Sequence, residues 1–270
     1  MEIAGKRILL TGATGGLGRA IAAALAERGG ALVLSSRKAD ELAALAGSLP
    51  DGDHSTVVAD LAEIGAAEEL AIAATAGGPI DILVANAGLP GSGRLGDFSA
   101  AEVSRAVRVN LEAPMLLAHA LLPAMVERGG GHLLFVSSLS GKAASPRASI
   151  YNATKFGLRG FALALREDLA GDGTGVGVSV VLPGFIRGAG MFAISGARVP
   201  PGMGTSSPAE VGAGVVKAIE QNRAEVSVAP LQQRSLATLA HIFPGIAARV
   251  QRGGGAKVAD ALARGQSHMR

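Results

Sequence analysis

Tyr151 and Lys155 stand four residues apart in the run Tyr151-Asn152-Ala153-Thr154-Lys155. On a helix that spacing stacks two side chains one turn apart on one face. A phenol titrates near ~10, too high for proton exchange at neutral pH, and an ammonium beside it favours the phenolate. The pair therefore has the chemistry of a general acid–base couple. Alone, the pattern is as readily a surface helix pair. A second candidate lies just upstream, where Ser137-Ser138 closes the apolar Phe135-Val136 and offers hydroxyls that could steady a developing charge. A third is Thr11-Gly12-Ala13-Thr14-Gly15-Gly16-Leu17-Gly18, between an apolar run and a helix-like stretch. Its glycines allow close approach of a pyrophosphate, and the free N–H groups of a helix start favour that negative charge. The first glycine gap is wider than in G-x-G-x-x-G, so the turn alone says dinucleotide and no more.

The next apolar run ends Leu34-Ser35-Ser36-Arg37-Lys38. An acid at this place would bind the ribose hydroxyls of NAD. Ser36, Arg37 and Lys38 instead suit a 2′-phosphate, which favours NADP(H) over NAD(H). The plainer alternative makes Arg37 and Lys38 solvated loop charges.

These residues need a scaffold, and the hydropathy pattern supplies one. Short apolar runs at 7–11, 31–35, 55–59, 81–85, 132–137, 176–182 and 225–229 read as strands. Helical stretches at 17–28, 40–49, 66–76, 100–127, 149–170 and 208–222 separate them. Strands apolar throughout are buried on both faces, and strands alternating with helices form βαβ units. The expected fold is α/β: a Rossmann-type doubly wound parallel sheet, one domain over 1–270, with a C-terminal helical extension over 230–270. The candidate residues fall at strand carboxyl ends, where ligands of such sheets bind. Residues 188–207 are rich in Gly, Ser and Pro without periodicity, and form a candidate substrate lid.

Nearly half of the 270 residues are hydrophobic, enough for one large core. The absence of Cys excludes disulfides and thiolate sites, and the scattered histidines (54, 119, 132, 241, 268) predict no metal. No basic-then-apolar segment follows Met1, and no uninterrupted apolar stretch is of bilayer length, so a cytoplasmic protein is expected. From Pro230 onward six basic residues face one acid, so the net +3 belongs to the tail. Phe243 is the only aromatic there, which argues against nucleic acid.

Taken together, the glycine turn, Asn86-Ala87-Gly88, Val109-Asn110-Leu111, Ser137-Ser138 and the Tyr151/Lys155 pair resemble, in order and spacing, the short-chain dehydrogenase/reductase family in its common single-domain form. The resemblance covers about residues 5–229. It implies Tyr151 as acid–base residue, Ser138 as hydrogen-bond donor to the substrate oxygen, and Lys155 on the nicotinamide ribose while lowering the tyrosine pKa. Asn110 would hold a water linking Lys155 to solvent. The cofactor would meet Gly12, Thr14, Gly16, Leu17 and Gly18 at its phosphates, Ser36 and Arg37 at the 2′-position, and Asp60 and Leu61 at the adenine. Asn86, Ala87 and Gly88 would form its central wall, and Pro183, Gly184 and Ile186 would flank the nicotinamide. The sequence departs from the family at Ala85, usually Asn, and at Gly188, usually a Thr whose hydroxyl contacts the carboxamide.

The substrate expected is a hydrophobic ketone or alcohol, or an acyl compound, in a pocket that looks apolar around Leu89, Ser140 and Phe185, with Arg187 and Arg198 as ambiguous charges. A non-catalytic NADP(H)-sensing regulator on the same fold is the alternative, against which the intact Ser138, Tyr151 and Lys155 argue. Family members pair long helices between subunits, which implies a homodimer or homotetramer; Leu117, Leu121, Ala162, Leu165 and Leu169 could supply the seam. In the extension, Leu236, Leu239, Ala240, Phe243, Ala247 and Val250 recur at helical spacing, with Arg249 and Arg252 beyond. Pro244 would kink this helix or start another. It packs on the body or a neighbouring subunit, or meets a membrane surface or an acidic carrier protein.

Overall fold

The structure, a computed structural model, describes residues 1–50, 52–197, 199, 202–254 and 256–266, and the side chains of 250–259 lie outside the description. Arg198, Val250 and Arg252 fall among those not described. The strands are β1 (Arg7–Thr11), β2 (Ala31–Ser36), β3 (Ser55–Val58), β4 (Ile82–Ala85), β5 (Gly131–Val136), β6 (Val176–Pro183) and β7 (Glu225–Val228). The helices are α1 (Gly16–Ala26), α2 (Ala39–Ser48), α3 (Ala66–Thr75), α4 (Ala100–Val107), α5 (Ala113–Glu127), α6 (Ser149–Gly171), α7 (Gly190–Ile194), α8 (Pro208–Glu220), α9 (Leu231–Ile242), α10 (Pro244–Gly254) and α11 (Ala256–Gln266).

All strand pairs are parallel, in the order β3-β2-β1-β4-β5-β6-β7. The chain starts mid-sheet and reverses direction between β1 and β4, leaving a crevice at their carboxyl ends. Alternate residues of each strand enter opposite cores. Leu9, Leu83, Phe135 and Val180 pack with α3, α5 and α6 on one face, while Ile8, Leu10, Val84 and Val181 pack with α1, α2 and α8 on the other. The continuous apolar strands are thus explained by two buried faces. β3, at the edge, alternates instead, and its Val58 is exposed.

Three expectations are corrected. The single helix over 100–127 is α4 and α5 joined by a π turn, Arg108–Glu112, in which Ala113 donates to the Arg108 carbonyl five residues back. Pro114 is the cause, since it has no N–H for the carbonyl of Asn110 in α register. By length and composition alone Ala100–Glu127 is long and apolar enough to cross a bilayer, which the expectation from uninterrupted apolar runs did not register. Its Leu117, Ala118, Leu121 and Met125, however, lie in the sheet core. The expected subunit seam is also internal: Leu117, Leu121, Ala162 and Leu169 are buried and Leu165 packs against them. Val107, Met115, Val126 and Phe156 are the exposed large apolar residues on these helices.

In the extension Pro244 starts a new helix rather than kinking one. The packed face of α9 carries Gln233 and Ala237, whereas Leu239 and Phe243 of the expected stripe are exposed.

His132 on β5 is buried, with Nε2 2.9 Å from Ser179 Oγ. Burial, with smaller contributions from the N-terminal ammonium and Arg166, lowers its pKa to about 3. A neutral His132 thus stabilises the fold above its ordinary 6.5, and that stability is lost as pH falls toward 3. Chemical denaturation should show a loss of about 2 kcal/mol between pH 6.5 and 5 that His132→Gln abolishes. An unchanged slope in the variant contradicts this.

Candidate active site

The crevice opens into a cavity of about 940 Å³ running along the strand ends from β2 to β6. Its floor begins at the glycine turn. Gly12 has φ +64, and a methyl there would come within 2.8 Å of Ala87 Cα. A methyl on Gly18 would lie 2.1 Å from the Gly12 carbonyl oxygen, so α1 can start here only on glycine. Thr11 Oγ1 accepts from the Asn86 and Ala87 N–H groups, and Asn86 Nδ2 donates to the Thr11 and Gly12 carbonyls. These bonds tie the turn to the end of β4. Gly12, Thr14, Gly16, Leu17, Gly18, Asn86, Ala87 and Gly88 all line the cavity. The glycines leave a backbone cradle that side chains would fill, which fits a dinucleotide phosphate.

At the β2 end, Ser36, Arg37, Lys38, Asp60 and Leu61 line the same cavity. Ser36 Oγ accepts from the Lys38 N–H, Arg37 reaches Asp60 at 3.7 Å, and Lys38 pairs with Glu41 at 2.5 Å. Arg19 pairs with the same Glu41 at 3.0 Å. Arg19 was not foreseen: it lies one turn into α1, and only the fold brings it beside Lys38. Asp60 is thus paired with Arg37, whose side chain is half-exposed.

Ser138, Tyr151 and Lys155 converge at the β5 end. Tyr151 is half-buried in the cavity wall and hydrogen-bonded to Ser138, whose Oγ also accepts from the Ser140 N–H. Lys155 lies behind the wall, 3% exposed, with Nζ donating to the Val136 carbonyl at 3.0 Å and 5.7 Å from the Tyr151 ring centre. Burial lowers the Lys155 ammonium to about 8. Tyr151 is raised above its ordinary value by burial, which outweighs the opposing Ser138 bond. In this arrangement burial and the Ser138 bond set the shift of the phenol, while Lys155 donates one of its three N–H groups to the Val136 carbonyl and keeps two.

Asn110 is fully buried outside the cavity. Its Oδ1 accepts from the Leu89 N–H at 2.6 Å, and its Nδ2 donates to the Leu89 carbonyl and to Thr154 Oγ1. Both ends of the amide are therefore engaged, with one lone pair of Oδ1 left over. Asn152, next to Tyr151, holds the 140–145 loop through Ser140, Ala143 and Ser145, a role no sequence signal announced.

Pro183, Gly184 and Ile186 line the cavity at the β6 end. The lid segment is pinned at its stem by Arg187 N–H to the Ser206 carbonyl and Ser206 N–H to the Phe185 carbonyl. Arg187 points away, to Glu210 and the Thr205 carbonyl. Gln233 of α9 accepts from the Phe185 N–H and donates to the Met203 and Gly204 carbonyls. Leu89, Ser140 and Phe185 line the cavity, joined by Arg147, Leu236, Ala237, Ala240, Leu262 and Gln266. The last five belong to the extension, which packs against the body here. Among the described residues, no His, Asp and Glu cluster could hold a metal.

A nucleotide cradle at the switch point of a parallel sheet, with a Ser, Tyr and Lys at the adjoining strand end, defines a dinucleotide-dependent oxidoreductase. The chain belongs to the short-chain dehydrogenase/reductase family, since residues 6–197 match the family model described as short chain dehydrogenase. It is 37% identical over 229 residues to a ketoacyl reductase of Nostoc sp., spanning 84% of this chain and 79% of that protein. A short-chain dehydrogenase from Sphingobium yanoikuyae solved with NADPH superposes with a TM-score of 0.77 at 28% identity, covering 89% of this chain and 94% of that one. A metagenomic short-chain oxidoreductase solved with NADP gives 0.70 at 29% identity, covering 85% and 99%. The protein is an NAD(P)-dependent dehydrogenase/reductase acting on the carbonyl/alcohol pair.

Because the folded-state pKa of Lys155, about 8, lies below its ordinary 10.5, burying its charge penalises folding fully below pH 8 and not at all above 10.5. Measured against Lys155→Met, the protein should therefore gain about 2 kcal/mol of stability as pH rises from 8 to 9.5. A pH-independent difference between the two contradicts this burial.

Proposed function

We propose that the protein is an NADP(H)-dependent carbonyl reductase, running in reverse as an alcohol dehydrogenase, with Tyr151 exchanging the proton. The observation that carries this reading is the convergence of Ser138, Tyr151 and Lys155 beside a cradle that excludes side chains. Bound in that cradle, a nicotinamide supplies the hydride for reduction and takes it back in oxidation. Tyr151 donates its proton to the carbonyl oxygen, and Ser138 donates a second hydrogen bond to the same oxygen, offsetting the charge that develops there. Lys155 holds the ribose hydroxyls and passes the proton onward. Asn110 serves the relay through its main-chain carbonyl, which Pro114 leaves without an α-helical donor.

Gly12, Thr14, Gly16, Leu17 and Gly18 bind the pyrophosphate. Ser36 and Arg37 bind the 2′-phosphate, with Arg19 and Lys38 adding positive charge. Asp60 and Leu61 meet the adenine, Asn86, Ala87 and Gly88 form the central wall, and Pro183, Gly184 and Ile186 flank the nicotinamide. The NADPH and NADP held by the two structural relatives support the phosphorylated cofactor. The apolar wall built by Leu89, Phe185, Leu236 and Leu262 suits a hydrophobic ketone or an acyl substrate, in keeping with the Nostoc relative's name. Residues 188–207 act as the lid. Val107, Met115 and Phe156 offer the seam for a homodimer or homotetramer, and the cysteine-free chain suits a cytoplasm.

The test is steady-state NADPH oxidation over a panel of apolar ketones. Tyr151→Phe should keep NADPH affinity and lose turnover by about 10²–10⁴-fold; near-normal rates would remove Tyr151 from the mechanism. Arg37→Asp should weaken NADPH by about 1–3 kcal/mol, read by fluorescence titration. NADH binding as tightly as NADPH to the unaltered protein overturns the cofactor assignment.

A further inference from the structure

The extension places two glutamines in the cavity wall, and they differ in what their amides do. Gln233 is saturated: its oxygen accepts from the Phe185 N–H, and its nitrogen donates to two lid carbonyls. Gln266, at the end of α11, is 4% exposed. Its Nε2 donates to the Met191 carbonyl of the lid helix at 3.0 Å, which fixes the orientation of the amide. Its Oε1 is buried and has no partner among the described residues. Buried acceptors are normally paired, and an unpaired one in a ligand cavity calls for a donor.

Two further contacts hold α11 in place. Arg147 Nε donates to Asp260 Oδ1 at 2.8 Å, and this pair lowers the Asp260 carboxyl below its ordinary range. Gly265 packs so closely on the lid that a methyl there would lie 2.2 Å from the Ser195 carbonyl oxygen. The residue is thus presented by a docked helix rather than by a loose tail.

We propose that Gln266 is a specificity-determining residue, whose Oε1 accepts a hydrogen bond from a hydroxyl or N–H on the substrate, distinct from the reacting carbonyl. The chemistry excludes the carbonyl itself: a carbonyl oxygen only accepts, and its donors are Ser138 and Tyr151. Leu262 on the same helix, with Phe192, Ile194 and Leu236, lines the same cavity with apolar side chains. The favoured substrate is therefore an apolar ketone carrying one donor group at the far end of its body. Asp260 is a positioning residue, acting through α11. The inference rests on the carbonyl-reductase reading above.

The test uses straight-chain methyl ketones of increasing length, each with and without a terminal hydroxyl, reduced with NADPH. At the matching length the hydroxylated ketone should show a KM about tenfold below its parent, the scale of one hydrogen bond. Gln266→Leu should erase that preference, bringing the two ketones to equal KM values, with NADPH affinity unchanged. Asp260→Ala, a half-exposed position, should weaken the preference in the same direction without lowering kcat; it also serves as the reporter if Gln266→Leu does not fold. Equal damage to both ketones makes Gln266 mere wall packing and overturns the proposal. A fall in NADPH affinity would do the same by assigning the donor to the cofactor carboxamide. Turnover of the ketones without a length-matched hydroxyl preference overturns this inference alone. No turnover of any ketone overturns the carbonyl-reductase reading and the inference with it.

Discussion

A lysine buried against the end of a β-strand is the constraint around which the site is arranged. Lys155 is kept in the fold by one short bond to the Val136 carbonyl, and its desolvation pulls its pKa toward neutrality. Nothing requires this for stability, because an apolar side chain would fill the place at lower cost. The neighbouring structure is what keeps it there. The Ser137 hydroxyl bonds the Lys155 carbonyl, locking α6 to β5, and Gly141 lets the following turn pass within contact of the same carbonyl. Thr154 and Asn110 then tie α6 to the π turn and to Leu89. Tyr151 is thereby set one helical turn ahead of Lys155, beside Ser138.

The scaffold was legible because its signals are local or periodic. Apolar strands, the glycine turn and the helical spacing of Tyr151 and Lys155 each depend on residues close in sequence. The π turn was not, since one proline shifts the hydrogen-bond register without interrupting the apolar pattern of the helix. The expected subunit seam failed for a related reason. Ala162 and Leu169 are apolar at helical spacing whether they face the core or a partner, and periodicity does not say which. The charge state of Tyr151 also needed the fold: spacing gives proximity to Lys155, but only the structure shows where the ammonium points and how dry the phenol is.

The region least legible in the sequence is the substrate wall. Gln233, Leu236, Leu262 and Gln266 lie far along the chain from the catalytic residues and beyond the span of the family match. Their helices fold back over the cavity by bonding the lid backbone, contacts that carry no sequence periodicity. The cradle and the Ser138, Tyr151 and Lys155 cluster thus lie within the span of the family match, while part of the cavity wall comes from the extension beyond it. The same division explains why Arg187, which seemed a candidate substrate contact, serves the lid stem instead.

The account turns on the phenol of Tyr151, and the chain offers a direct view of it. Tyr151 is its only tyrosine and it has no tryptophan, so the ultraviolet absorbance of tyrosinate reports on this side chain alone. Titrated by absorbance, the free protein should show a midpoint above the ordinary 10, because burial outweighs the Ser138 bond. Saturation with oxidised NADP brings a positive ring into the same dry site, and should move the midpoint down. A midpoint that does not respond to the cofactor would contradict the assignment of Tyr151 as the proton-exchanging group, whereas a midpoint at or below 10 in the free protein would contradict the burial of the phenol.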